Sequence, residues 1–253
     1  MTFKELLSLI FLIAVFIACS GRKPEPNWTA EEYFRYAKER YDDEDYWEAS
    51  NEFTVIILRF PGSSVSDSAQ YYLGCSHFYM DENIISSAEF TKLINTMPQS
   101  PLVPLAQYML GESYYQMSPR AELDQEYTYK AIKEFQLFLE DFPTNEKREE
   151  VEKKLIELRE KLAEKQLINA ELYRKMREYR SSIIYYDIVL DKYYDTDYAD
   201  DALYGKAMAY IDLNEYQKAK EELLIFKDKF PGSKLNFKVE RRLKEVIDII
   251  ENE

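Results

Sequence analysis

Ala69-Gln70-Tyr71-Tyr72-Leu73-Gly74 and Ala106-Gln107-Tyr108-Met109-Leu110-Gly111 agree at five of six positions, 37 residues apart. A second pair of blocks recurs further out, Tyr46-Trp47-Glu48-Ala49 and Tyr216-Gln217-Lys218-Ala219. These run on to endings of one type, Arg59-Phe60-Pro61-Gly62-Ser63 and Lys229-Phe230-Pro231-Gly232-Ser233. Self-similarity at such a period marks a chain of stacked repeats, each burying its apolar face only against its neighbours. Each repeat reads as two helices. The first carries a small residue where two helices approach closely: Ala37, Gly74, Gly111, Ala170 and Ala207. The second carries a small residue and, four later on the same face, a large one. Those pairs are Ala49 and Phe53, Ser86 and Phe90, Ala131 and Phe135, Ser182 and Tyr186, Ala219 and Leu223. Eight residues after each large residue stand Pro61, Pro98, Pro143, Tyr194 and Pro231. Proline there cannot continue the helix, so it sets the turn into the next repeat.

This arrangement resembles tetratricopeptide (TPR) repeats. Repeats one, two and five keep 24 residues from the small residue to the proline, and repeat four keeps it to Tyr194. Repeat three is longer by eight, and the extra length falls around Ser118-Pro119-Arg120-Ala121. The charged stretch from Asn145 to Gln166 carries Leu155, Leu158 and Leu162 at helical spacing, so it reads as a long first helix rather than a linker. Thr29-Ala30-Glu31-Glu32 predicts a capping box, and Ser100-Pro101 predicts a cap followed by proline at the first helical position. A last helix is expected from Ser233 to Asn252. The expected fold is all-α: a right-handed α-solenoid of about five TPR-like helix pairs plus a C-terminal helix.

Composition narrows the function. Of 253 residues, 33 are Lys or Arg and 47 are Asp or Glu, a net charge of −14 that repels phosphate backbones and argues against nucleic-acid binding. One histidine, His77, and two cysteines, Cys19 and Cys75, leave no disulfide framework and no Cys/His zinc cage. His77 and Cys75 are two apart on a helix and cannot face one metal together. Glycine-rich phosphate loops and the H-E-x-x-H pattern are missing, so no catalytic residue, metal or cofactor is expected. The 22 tyrosines point instead to a contact surface.

The start of the chain reads as an address. Leu6 to Ala18 is thirteen residues interrupted only by Ser8, the length of a signal-peptide core and too short to span a bilayer. It ends in Phe16-Ile17-Ala18-Cys19-Ser20-Gly21, which resembles a bacterial lipobox with Phe16 where the pattern prefers Leu. A plain cleaved signal peptide and an uncleaved anchor are the other readings. The expected layout is a signal peptide over 1–18, then lipidated Cys19 and a tether over 19–28. Repeats one to three follow over 29–143, and repeats four and five with the terminal helix over 144–253. Ser20 rather than Asp after the cysteine resembles the sorting signal for the outer membrane.

In TPR arrays, positions three before and four after the small residue look into a groove. Here they are Phe34, Tyr71 and Tyr108, then Tyr41, Phe78 and Tyr115. Two readings fit these aromatic rows: rings packed as core between first helices, or a peptide-binding groove. In repeats four and five the same positions hold Leu167 and Arg174, Tyr204 and Ile211. The terminal helix carries Lys238, Arg241 and Arg242 within a basic cluster, either a solubilising cap or a docking surface for an acidic partner.

Lipobox, five repeats, RFPGS-type endings, long third repeat and charged helix together resemble the BamD/ComL family of outer-membrane lipoproteins. The resemblance implies a non-enzymatic scaffold, lipid-anchored at the periplasmic face of the outer membrane. It implies docking of the barrel-forming BamA on the C-terminal repeats and reception of unfolded outer-membrane proteins on the N-terminal ones. Two other readings stay open. One is a TPR lipoprotein of the cell-envelope or division machinery with other partners. The other is an enzyme subunit or lipid-pathway accessory, which needs a catalytic group the sequence does not offer.

Overall fold

The computed structural model describes residues 25–252, and among them every regular element is helical. The described residues form eleven helices: α1 (Ala30–Asp42), α2 (Tyr46–Arg59), α3 (Ser66–Tyr79), α4 (Asn83–Thr96), α5 (Val103–Met117), α6 (Glu126–Asp141), α7 (Arg148–Lys175), α8 (Tyr179–Lys192), α9 (Ala199–Asp212), α10 (Tyr216–Lys229) and α11 (Asn236–Asn252). The first ten form the five expected pairs, and α11 is the expected terminal helix. Cys19 and the signal-peptide stretch lie outside the described residues. The chain divides into two compact units, one up to Val103 and one from Pro104, so the division falls between repeats two and three.

The repeat pattern is physical. In repeats one, two, four and five, the residue seven after the small one takes a left-handed conformation: Glu44, Asp81, Arg177 and Asn214, with φ between 59 and 64°. Each lets the next amide close the turn, as when Asp45 N–H donates to the Arg40 carbonyl and Glu215 N–H to the Tyr210 carbonyl. Non-glycine residues hold this conformation at a cost of about 1–2 kcal/mol, which the helix pair on either side offsets. Repeat three has no such residue because its eight extra residues replace the turn. There Gln125, buried, donates to the carbonyls of Arg120 (2.9 Å) and Leu123 (3.0 Å). Lys161 and Lys165 of α7 fasten the same loop through Ser118 Oγ (2.8 Å) and the Leu123 carbonyl (2.7 Å). The second helices all stop alike, at Phe60, Met97, Phe142, Tyr193 and Phe230, with φ from −123 to −131°. Tyr193 does so before Tyr194 as the others do before proline.

Contact explains the small residues. A Cβ on Gly74 would lie 2.7 Å from the Phe90 ring, and one on Gly111 would lie 2.5 Å from Phe135. In repeat four Tyr186 shares a core cluster with Ala170 and also leans over Gly205 of α9, in the next repeat, where a Cβ would lie 2.5 Å from its ring. Ala37, Ala170 and Ala207 are wholly buried.

Two helix starts differ from expectation. Thr29 forms the predicted capping box with Glu32, but α5 begins at Val103 rather than Pro101. The Ser100 hydroxyl donates to Asp67 (2.6 Å) and accepts from the Leu102 amide, which holds 100–102 in a turn. Ser233 repeats the arrangement with Asp200 (2.6 Å) and Leu235, so α11 starts at Asn236. Residues 25–28, expected within the tether, are fastened to the first helix pair. Tyr33 donates to the Glu25 carbonyl (3.2 Å), Arg59 to the Pro26 carbonyl (3.1 Å), and Trp28 packs edge-on against Tyr33 and Tyr36.

Candidate functional site

In the first compact unit the predicted aromatic positions share one cluster. Phe34 is half-buried against Phe53 (5.8 Å between centroids) and Tyr72 (6.1 Å). Tyr41 stands edge-on to Tyr72 (5.0 Å) and Tyr46 (5.4 Å). Tyr71 packs on Phe90 (5.8 Å), and Phe78 meets Tyr79 edge-on at 5.6 Å. The Tyr41 and Tyr71 hydroxyls, from α1 and α3, converge on the buried Cys75 thiol. Burial raises the pKa of both phenols and pushes the thiol up to about 12, against the lowering effect of the two hydroxyls. That thiol stays protonated and unreactive at neutral pH.

The sequence reading missed Tyr72 and Tyr79. Tyr72 touches Phe34, Tyr41, Phe53 and Tyr71, with the Lys38 ammonium 5.0 Å from its centroid. Tyr79 is 54% exposed and stacks on Tyr46 at 5.0 Å. Both sit outside the two register positions considered, and only the neighbouring helix brings them in.

A groove of about 540–610 Å³ opens in each compact unit. The first is lined by Phe34 and Val65, by the cations Arg35 and Lys38, and by the carboxylates Glu31, Glu39, Asp42 and Asp43. Lys38 pairs with Asp42, whereas Arg35 is exposed and makes no ion pair among the described residues. The groove thus joins an apolar wall, Phe34 and Val65, to a rim of two cations and four carboxylates.

In the second unit Tyr108 and Tyr115 are committed to α7. Tyr108, buried, donates to Glu150 (2.6 Å), and Tyr115 donates to Glu157. Between them Lys154 reaches Glu112 at 2.8 Å and lies 4.5 Å from the Tyr115 centroid. All three bonds join residues 42 apart, so α5 and α7 close like a zipper. The hydrogen bond to Glu157, with burial, pushes the Tyr115 phenol up to about 12. Burial raises the Glu112 carboxyl against the lowering effect of Lys154. These two rings therefore join α5 to α7.

The second unit's groove is lined by Glu171, Arg174, Asp201, Tyr204, Met208 and Lys238, with Tyr186 over Gly205 at its floor. Arg174 pairs with Asp212 at 2.7 Å. Of the predicted docking residues, Lys238 lines this groove. Arg241 and Arg242 instead turn to Glu245, at 3.8 and 2.6 Å. Among the described residues no cluster of His, Cys, Asp and Glu could hold a metal, and no helix is long and apolar enough to cross a membrane.

Comparison with curated proteins gives no match. Among solved structures, the TPR2AB-domain:pHSP90-complex of yeast Sti1 is similar at 10% identity and a TM-score of 0.48, over 88% of this chain and 84% of that one. A tetratricopeptide repeat protein from Parabacteroides merdae matches at 12% and 0.38, over 87% and 73%. MamA matches at 13% and 0.37, over 80% and 92%. At these values the likeness says nothing of partners. A family model described as outer membrane lipoprotein, YfiO, matches residues 26–224, nearly the whole repeat region. The chain belongs to this family, the BamD/ComL-type outer membrane lipoproteins.

Proposed function

We propose that the protein is a non-enzymatic scaffold of the machinery that assembles β-barrel outer-membrane proteins, anchored to the outer membrane through acylated Cys19. Family membership over residues 26–224 carries this reading. In it, the first unit receives the ends of unfolded outer-membrane proteins, and the C-terminal repeats dock a BamA-type barrel protein. The groove beside Phe34 supports the first role, because Phe34 and Val65 offer apolar contact to an aromatic residue and Arg35, which makes no ion pair among the described residues, can meet a terminal carboxylate amid the groove's own acids. The groove holding Lys238 supports the second, because it offers charge of both signs and the apolar Met208.

The test is binding of a labelled peptide that ends in phenylalanine with a free carboxylate. Arg35→Glu reverses one exposed charge without touching the core, and should weaken binding about tenfold, roughly 1.4 kcal/mol. Amidating the peptide should reproduce most of that loss. Unchanged affinity in a folded Arg35→Glu protein would exclude this groove as the client site.

A further inference from the structure

Trp47, Asn51, Thr54, Leu58 and Arg59 are the exposed side chains of α2. The first four are spaced 4, 3 and 4 residues apart and so share one face. Trp47 is 67% exposed and Leu58 74%. None of the five is acidic, in a chain with 47 acidic residues. The second helix of the next repeat, α4, likewise exposes no acid, and the exposed Ile84 holds there the register position of Trp47. The second helices of the other compact unit each expose at least one acid: Glu140 on α6, Asp191 on α8 and Glu221 on α10. Freedom from exposed carboxylates is thus confined to the second helices of the first unit, and α2 is the one of them that carries a tryptophan.

The end of the N-terminal leash lies beside this face. Arg59, next to Leu58, donates to the Tyr33 hydroxyl (2.8 Å) and to the Pro26 carbonyl (3.1 Å). Tyr33 in turn holds the Glu25 carbonyl. The leash from Cys19 therefore ends at Glu25, six peptide steps on, which reach at most about 20 Å even when fully extended. A lipid group on Cys19 holds the C-terminal end of α2 within that distance of the surface it enters. The face itself, from Trp47 to Leu58, is only about 16 Å long.

We propose that the Trp47–Leu58 face of α2 rests on the lipid surface that holds the anchor. Tryptophan suits that depth, because its ring is apolar and its indole N–H remains in the wet headgroup layer. Asn51 and Thr54 are polar but uncharged, so the middle of the face sets no carboxylate against anionic headgroups, and the exposed acids nearest it, Asp43, Glu44 and Asp45, precede its start at Trp47. Arg59 at the rim adds attraction to them. The contact rests on acylation of Cys19 and is independent of which clients or partners the grooves take.

The chain has two tryptophans, so Trp28→Phe leaves Trp47 as the single reporter. The acylated full-length variant is placed in vesicles of phosphatidylethanolamine and phosphatidylglycerol containing brominated phosphatidylcholine, with acylation read by intact mass. Trp47 emission should shift to the blue and be quenched by the bromines. A soluble Cys19→Ser form beside the same vesicles should show neither effect. Adding Asn51→Glu and Thr54→Glu should remove the quenching while acylation and helical content stay unchanged. An acylated chain whose Trp47 is as unquenched as the soluble form overturns the contact and leaves the anchor standing. Shielding of Trp47 only when a protein partner is present overturns it too. Quenching indifferent to the two glutamates overturns this face as the contact, and a chain without acyl groups overturns anchor and contact together.

Discussion

Replacing Gly111 with alanine sets two effects of known sign against each other. Alanine favours a helix interior over glycine by about 0.5–1 kcal/mol. The new methyl would lie 2.5 Å from the Phe135 ring, which is wholly buried and has nowhere to go. Overpacking of this kind costs about 1–3 kcal/mol, so the clash wins. Gly111→Ala should lower the thermal midpoint read by circular dichroism, and adding Phe135→Leu should recover part of the loss by making room. A variant as stable as the parent would mean that the small residue is not where the two helices meet. This contact was legible in sequence, because the small and large residues recur at fixed spacing. The meeting of Tyr41 and Tyr71 over Cys75 was not. Hydroxyls from two helices reach one thiol only once the helices are packed, and no spacing along the chain encodes that.

Among the elements, α7 makes contacts that its sequence did not signal. The spacing of Leu155, Leu158 and Leu162 within the charged stretch from Asn145 to Gln166 predicted a helix, and α7 runs on from there to Lys175. The partners of its charges were not predicted, because the 42-residue offset between α5 and α7 depends on the length of everything between them. Lys154 is the central tooth of that zipper: it neutralises Glu112, whose second oxygen, Oε1, is buried without a hydrogen-bond partner. Lys154→Met strands that carboxylate, and breaking one half of a buried pair costs about 3–5 kcal/mol. Burial already raises the Glu112 carboxyl and loss of the lysine raises it further. A group whose folded pKa is raised favours folding at low pH, and that support is lost as pH rises through the folded value. The Lys154→Met penalty should therefore be larger at pH 8 than at pH 5, read as the shift in urea midpoint against the parent. Equal penalties at both pH values would show that Glu112 is not the group left stranded. The RFPGS-type ending shows the same limit: its proline was readable as a stop, whereas the grip of Arg59 on Pro26 needs α1 and α2 side by side.

For the whole molecule, five helix pairs among the described residues and a family match from residue 26 to 224 describe an outer membrane lipoprotein built of TPR-like repeats. The repeat count and the terminal helix were plain in the sequence because period and proline spacing are one-dimensional quantities. The role of the aromatic rows was not, because an aromatic residue at the same register lines a groove at Phe34 and donates to a glutamate of α7 at Tyr108. The central claim is membership of the barrel-assembly machinery. Its most direct test is gentle detergent extraction of tagged full-length protein from its native membranes, with mass spectrometry of what accompanies it. A BamA-type barrel protein in stoichiometric amount is the predicted result. Its absence from a folded, acylated sample, with division or peptidoglycan proteins in its place, would contradict the claim.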